Sequence, residues 1–196
     1  MIPLIDSQAT KANILAAFAR LSGKQGVGER GAPDVLEKIS AAEPEDAVFI
    51  YFAGHGTARQ NQFYLIPYDL GYQGDRKKIH QDDVNSILAH SISDCDLEQA
   101  LEKVDANKVV LIIDACNSGQ ALEAEEKRRG PMNSKGLAQL AYEKGMYILT
   151  AAEGYQAAIE VSRLGHGLLT YALVEEGLKT GAADTSPKDG QVELRE

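Results

Sequence analysis

Three short stretches of the chain are almost continuously apolar. They are AVFIYFAG over 47–54, KVVLIIDA over 108–115 and GMYILTAA over 145–152. Each has the length and the β-branched or aromatic content of a strand buried on both faces, as strands in a parallel sheet are. QFYLIPYDL over 62–70 is a further candidate strand or hairpin arm, with Pro67 at an edge position or at the strand's end.

Segments with helical periodicity lie between these stretches. Ile14, Phe18 and Leu21 follow Thr10, which is a candidate N-cap. Two more helical stripes consist of Leu97, Ala100, Leu101 and Val104, and of Leu168, Leu169, Ala172, Leu173 and Leu178. Because helices alternate with strands, we predict an α/β fold, a three-layer sandwich with a mostly parallel central sheet flanked by helices.

Size and charge narrow the possible functions. A chain of 196 residues that is 44% hydrophobic is long enough for one sizeable core, which favours a single domain. With 29 acidic and 20 basic residues the net charge is -9, which repels nucleic-acid backbones and anionic lipid. We therefore expect no nucleic-acid or membrane partner and favour cationic substrates.

The two cysteines, Cys95 and Cys116, are too few for a disulfide framework and lack the C-x-x-C spacing of a zinc or redox site. No run reaches the roughly 18 apolar residues of a membrane span. The opening MIPLIDSQAT has no basic region followed by an apolar one, as a signal peptide would. These features predict a cytoplasmic protein.

The candidate chemistry follows two of the predicted strands. VFIYFAGHG ends with His55 between two glycines, and VVLIIDACNSG places Cys116 at the corresponding point of another strand. Ligands of open parallel sheets bind at this edge, so the two residues are expected in one crevice. An imidazole is suited to deprotonating a thiol near neutral pH. The amides of Gly56 and Cys116 are candidate donors to an oxyanion.

Structural interpretations of the same residues remain open. A single cysteine in an apolar strand is commonly a core thiol, and a histidine flanked by glycines is commonly a turn residue. A cysteine phosphatase loop is excluded because position 122 carries Leu122 rather than arginine. The joint placement at two strand ends favours a functional pair.

The pair YFAGHG and DACNSG resembles the motifs of the caspase-like cysteine peptidases, and among them the metacaspases and prokaryotic caspase homologues. The resemblance extends to the helix QATKANILAAFARL and to GHGLLTYALVEEGL near the carboxyl end. It implies a peptidase domain over 1–182, with a large-subunit-like part (1–121), a connecting loop (122–136) and a small-subunit-like part (137–182). Residues 183–196 are then a linker or the truncated start of a further segment.

The resemblance also implies residue roles. His55 would be the general base and Cys116 the nucleophile that forms a thioester. Asp114 matches the metacaspase acid that receives a basic P1 side chain, which implies cleavage after Arg or Lys in peptide or protein substrates. The alternative for Asp114 is a strand-end carboxylate with local hydrogen bonds. Glu160 and Tyr155 are further candidates for the substrate pocket.

The family resemblance also suggests self-processing and calcium binding. Lys127, Arg128 and Arg129 lie in the connecting loop, where the family is often self-processed, although a solvated charged loop explains them equally. Metacaspases often bind calcium through acidic residues, and four candidate ligands occupy comparable places: Asp69, Asp82, Asp83 and Glu123. Asp82 and Asp83 could instead interact with the amino-terminal end of a helix. No other cofactor is implied.

The sequence departs from the family pattern in two places. MIPLID corresponds to the family's second strand, so its first strand is missing from the match, and Ala53 replaces a serine often found two residues before the histidine. A second hypothesis is therefore a caspase-fold regulatory or interaction module, part of a larger signalling protein and inactive on its own. A nucleotide-binding flavodoxin-like protein is disfavoured, because no phosphate-binding glycine motif follows a strand.

Overall fold

The computed structural model describes residues 1–24, 31–59, 62–72, 74, 81–117, 135–151 and 167–192. Strands and helices alternate along these ranges, which confirms the predicted α/β class. The helices are α1 (Lys11–Leu21), α2 (Gln81–His90), α3 (Asp94–Glu102), α4 (Lys135–Lys144) and α5 (Leu168–Thr170), which continues as a π-helix (Tyr171–Lys179); 3-10 turns occur at Asp6–Gln8 and Asp34–Lys38. The strands are β1 (Ala47–Arg59), β2 (Gln62–Ile66), β3 (Ile92–Ser93), β4 (Lys108–Asn117) and β5 (Tyr147–Thr150).

The five strands form one sheet in the order β3-β2-β1-β4-β5. β4 pairs in parallel with β1 on one side and with β5 on the other. β2 folds back against the end of β1 as an antiparallel hairpin, and β3 pairs antiparallel with β2. The prediction of a mostly parallel sheet is therefore corrected to a mixed sheet. β2 accounts for the difference between the predicted and the observed sheet. It follows β1 after a tight turn, and two strands joined in this way are antiparallel.

One face of the sheet carries the hydrophobic core. Leu111 and Ile113 of β4 are buried in the same cluster as Phe18 of α1, Leu97 of α3 and Leu137 of α4. Burying a side chain of this size contributes roughly 1.5–3 kcal/mol relative to leaving it exposed. The helical layer therefore fixes β4, which carries the candidate nucleophile.

Hydrogen-bonding caps define where the helices on this face begin. The hydroxyl of Thr10 accepts the backbone N–H of Asn13 at 3.2 Å, which confirms the predicted N-cap of α1. α3 begins with a reciprocal capping box between Ser93 and Asp96. Lys11 of α1 donates to the Asp96 carboxylate at 3.1 Å. The first turns of the two helices are thereby joined.

α4 is the helix that the periodicity analysis missed. We predicted a loop up to residue 136, whereas α4 begins at Lys135. Leu137 and Leu140 are buried in the core, and their three-residue spacing was the available signal. The preceding segment is charged and contains Gly-Pro, which is typical of a loop, so the start of the helix had no clear signal in the sequence. No helix in the described part of the chain has the length and apolar character needed to cross a membrane.

The opposite face of β1 is open to solvent. Val48 and Ile50 pack against the core, whereas the alternate residues Phe49 and Tyr51 are 67% and 52% exposed. No strand in the described ranges pairs with residues 47–54 on the edge away from β4. In the part of the chain that the structure describes, α5 is the element of the predicted second helical layer that contacts this face, through Thr170 and Tyr51.

Candidate active site

The parallel register of β1 and β4 places His55 directly beside Cys116. Neighbouring strands lie about 4.8 Å apart, so the two backbones are as close as a sheet allows. His55 is exposed at this position. The structure thus brings together the two positions that the sequence analysis selected as base and nucleophile.

Both residues lie within their strands rather than after them. We predicted strand ends near residues 54 and 115, whereas β1 continues to Arg59 and β4 to Asn117. The extension has a physical cause, because β2 pairs with the last five residues of β1 and keeps them extended. His55 is consequently flanked by a strand on each side, with Ile66 of β2 and Cys116 of β4 as its partners.

Asp114 lies two residues before Cys116 and on the same face of β4. Its side chain is only 8% exposed. The backbone N–H of Thr170 donates to Oδ2 of Asp114 at 3.2 Å, and the Thr170 hydroxyl donates to the same oxygen. Oδ1 accepts no hydrogen bond from any residue in the described ranges. Among the described residues, the carboxylate therefore has one oxygen occupied and one without a hydrogen bond.

The start of α5 is built around this carboxylate. A Cβ added to Gly167 would overlap both oxygens of Asp114, so glycine is required for the close approach. The Oγ1 of Thr170 also lies 2.7 Å from the phenol oxygen of Tyr51. The sequence analysis missed Gly167, Thr170 and Tyr51 as members of the site. No local pattern reveals them, since Thr170 is 56 residues from Asp114 and 119 from Tyr51.

The model of the caspase domain of peptidase family C14 matches residues 31–189, which include β1, β4 and α5. The chain belongs to the caspase-domain family. The predicted resemblance to the caspase-like peptidases is thereby confirmed. No curated protein and no solved structure matches the chain. Caspase domains are a family of cysteine peptidases that act on protein substrates, and this is the reaction class that the match implies.

Gly56 of this caspase domain has a packing role that the structure makes explicit. A Cβ there would lie 2.7 Å from the ring of Phe63. Gly56 also lies between Leu65 of β2 and Asn117 of β4. Its backbone N–H therefore points within the sheet toward a neighbouring strand. The oxyanion role of Gly56 and Cys116 stays a prediction.

The acidic residues selected for calcium are described only in part, because Glu123 and the side chain of Asp82 lie outside the described structure. Oδ1 of Asp69 accepts the backbone N–H of Lys11 at 2.9 Å. Asp83 lies in the first turn of α2, where a carboxylate favours a helix start. Within the described ranges, no three His, Cys, Asp or Glu residues gather as a metal site. Calcium binding by these residues therefore stays a prediction from the family resemblance.

Several predicted residues lie outside the described ranges. They are the pocket candidates Tyr155 and Glu160, the self-processing candidates Lys127, Arg128 and Arg129, and the calcium candidate Glu123. Their roles remain predictions from the family resemblance.

Cys95 differs from Cys116 in position and chemistry. It lies in the first turn of α3, where its Sγ accepts a hydrogen bond from Nε2 of Gln62 at 3.7 Å, and it forms no disulfide. Although the residue is exposed, partial desolvation of the thiol and the nearby carboxylate of Asp94 raise the pKa of Cys95. A raised pKa disfavours the thiolate, so Cys95 is a poor nucleophile at neutral pH.

Proposed function

We propose that this caspase domain is a cysteine endopeptidase that cleaves peptide bonds after Arg or Lys. Cys116 is the nucleophile and His55 the general base. The observation that carries the proposal is the pairing of His55 with Cys116 across β1 and β4, with a buried carboxylate, Asp114, two residues before the cysteine.

The proposed reaction needs a thiol and a base held side by side. The imidazole of His55 takes the proton of the Cys116 thiol, and the thiolate attacks the scissile carbonyl carbon. The resulting intermediate collapses to a thioester as the amine leaves with the proton from His55. Water activated by the same imidazole then hydrolyses the thioester and regenerates the thiol. A positioned general base of this kind contributes about 10²–10⁴-fold to the rate.

Asp114 supplies the proposed preference for a basic P1 side chain. A carboxylate that is 8% exposed is expensive to leave without a counterion. A P1 Arg or Lys brings that counterion, whereas a neutral side chain leaves the charge unpaired and an acidic one adds repulsion. The net charge of -9 agrees with cationic substrates.

The second candidate function is a caspase-fold interaction or regulatory module without activity of its own. The observation that favours it is the open face of β1, where Phe49 and Tyr51 are exposed. Exposed aromatic side chains beside a strand edge that no described strand pairs with are typical of protein-binding surfaces. The state of the Cys116 thiol separates the two functions, because only the peptidase needs a reactive thiolate.

The deciding experiment is turnover of matched fluorogenic peptides with Arg, Lys, Gln or Asp at P1. Wild type and Cys116→Ala are compared, each with calcium and with a chelator. The proposal requires cleavage after Arg and Lys only, abolished by Cys116→Ala. Cleavage after Asp would overturn the role of Asp114. A folded wild type that is silent on every peptide would favour the interaction module.

A further inference from the structure

We infer that Thr170 is a positioning residue that makes Asp114 present a single oxygen to the P1 side chain, so that Lys and Arg are accepted about equally. The inference rests on the proposed function, because it assigns the P1 contact to Asp114. It adds a determinant of specificity that lies 56 residues away along the chain.

The direction of each hydrogen bond follows from which of the three side chains carries a proton that it can donate. An ionised carboxylate only accepts, so the single hydroxyl proton of Thr170 is donated to Oδ2 of Asp114. The Thr170 oxygen must then accept the phenol proton of Tyr51, 2.7 Å away. A chain of donors thus runs from Tyr51 through Thr170 to Asp114, and each link polarises the next.

Oδ2 of Asp114 has no lone pair left for a substrate. A carboxylate oxygen accepts about two hydrogen bonds, and Thr170 supplies both, one from its hydroxyl and one from its backbone N–H. Oδ1 has no such partner in the described ranges. Oδ1, which no described residue occupies, is therefore the oxygen that we assign to a cationic side chain.

This occupancy has a consequence for the choice between Arg and Lys. The advantage of a guanidinium over an ammonium comes from two parallel hydrogen bonds to both carboxylate oxygens. With Oδ2 filled by Thr170, a P1 Arg forms only one such bond, as a P1 Lys does. Freeing Oδ2 should restore the fork-like contact and favour Arg.

The surrounding residues hold Thr170 in this position. Gly167 lets the start of α5 approach Asp114, where any side chain would overlap the carboxylate. Thr170 is half-buried and helical, so alanine and valine are compatible with its backbone. The hydroxyl can therefore be removed without rebuilding the site.

The test is the ratio of kcat/KM for peptides that differ only in Arg or Lys at P1. Thr170→Val and Thr170→Ala remove the hydroxyl, and we expect the Arg-to-Lys ratio to rise about tenfold, the effect of one added charge-assisted hydrogen bond. Thr170→Ser is the matched control and should keep the wild-type ratio. Tyr51→Phe leaves the bond from Thr170 to Asp114 intact and should also keep it.

Each outcome separates this inference from the proposed function. An active wild type whose Arg-to-Lys ratio is unchanged in Thr170→Val and Thr170→Ala would overturn the inference alone. A wild type silent on both peptides would overturn the proposed function and the substrate role of Thr170 with it. Circular dichroism checks folding: if both variants unfold while Thr170→Ser folds, the hydrogen bond serves stability and the specificity role is rejected.

Discussion

His55 and Cys116 are direct partners in the parallel register of β1 and β4, at positions 61 residues apart in the sequence. His55 is exposed, so its side chain contributes little to the buried core that stabilises the two strands. The chemistry proposed for His55 and the stability of the fold can therefore be tested separately.

His55→Gln should abolish most peptidase activity without unfolding the protein. We expect kcat/KM to fall about 10²–10⁴-fold, the usual contribution of a general base. The measurement is turnover of an Arg-P1 peptide together with a urea unfolding curve. His90→Gln is the matched control, because His90 is an exposed histidine at the end of α2 and should leave activity unchanged. Equal losses in both variants would contradict the assignment of His55.

Asp114→Asn should separate charge from shape. The amide oxygen can still accept the two hydrogen bonds from Thr170, so stability should change little. Removing the charge should lower kcat/KM for Arg and Lys peptides about 10–100-fold, the value of one charged hydrogen bond. Asp94→Asn is the control, since Asp94 is also buried but lies on α3. If Asp114 only holds α5, activity toward basic peptides will survive the substitution.

The two thiols should react with iodoacetamide over different pH ranges. In Cys116→Ala the remaining thiol is Cys95, whose raised pKa makes alkylation slow until the pH exceeds the ordinary value of 9.0. In Cys95→Ala the remaining Cys116 should react near neutral pH if His55 activates it. Alkylation rates measured between pH 6 and pH 10 provide the comparison. A Cys116 as slow as Cys95 would support the interaction module.

Stability should depend on pH through the carboxylate of Asp96. Burial alone would raise its pKa, but hydrogen bonds from Ser93 and Lys11 outweigh burial and lower the pKa below 3.8. The unfolded chain therefore binds the proton more tightly, so the contribution is fully present above the unfolded pKa and is lost as the pH falls through the folded pKa.

The corresponding variant is Asp96→Asn. At pH 7 we expect it to lower the free energy of unfolding by roughly 0.5–1 kcal/mol, since solvent screens this half-exposed ion pair. The difference from wild type should disappear toward pH 2. Urea unfolding at several pH values measures it. A constant difference at every pH would show that the loss comes from the capping geometry and not from the charge.

Gly56→Ala and Gly54→Ala form a matched pair. The new methyl group at position 56 would lie 2.7 Å from the buried ring of Phe63, and relieving that overlap should cost about 1–3 kcal/mol. At position 54 the nearest atoms, in the half-buried ring of Phe52, are 3.2 Å away and can shift. Urea unfolding should show the larger loss for Gly56→Ala. A smaller loss there would mean that Phe63 moves aside.

The sequence by itself determined the local features. The apolar runs located β1, β4 and β5, and Thr10 marked the start of α1, because strand and cap preferences depend on a few adjacent residues. The same runs positioned His55 and Cys116 near the ends of two strands. α4 was missed although its buried leucines were visible, since a charged segment precedes it.

Tertiary structure decided the remaining features. Pairing of β2 with β1 turned the sheet into a mixed one and kept His55 inside a strand. The contacts among Tyr51, Thr170 and Asp114 join segments that are distant in sequence. Such contacts depend on which surfaces pack together, and packing depends on the whole core rather than on any local preference. For that reason the sequence located the proposed pair of His55 and Cys116, whereas only the fold showed how the neighbouring carboxylate is held.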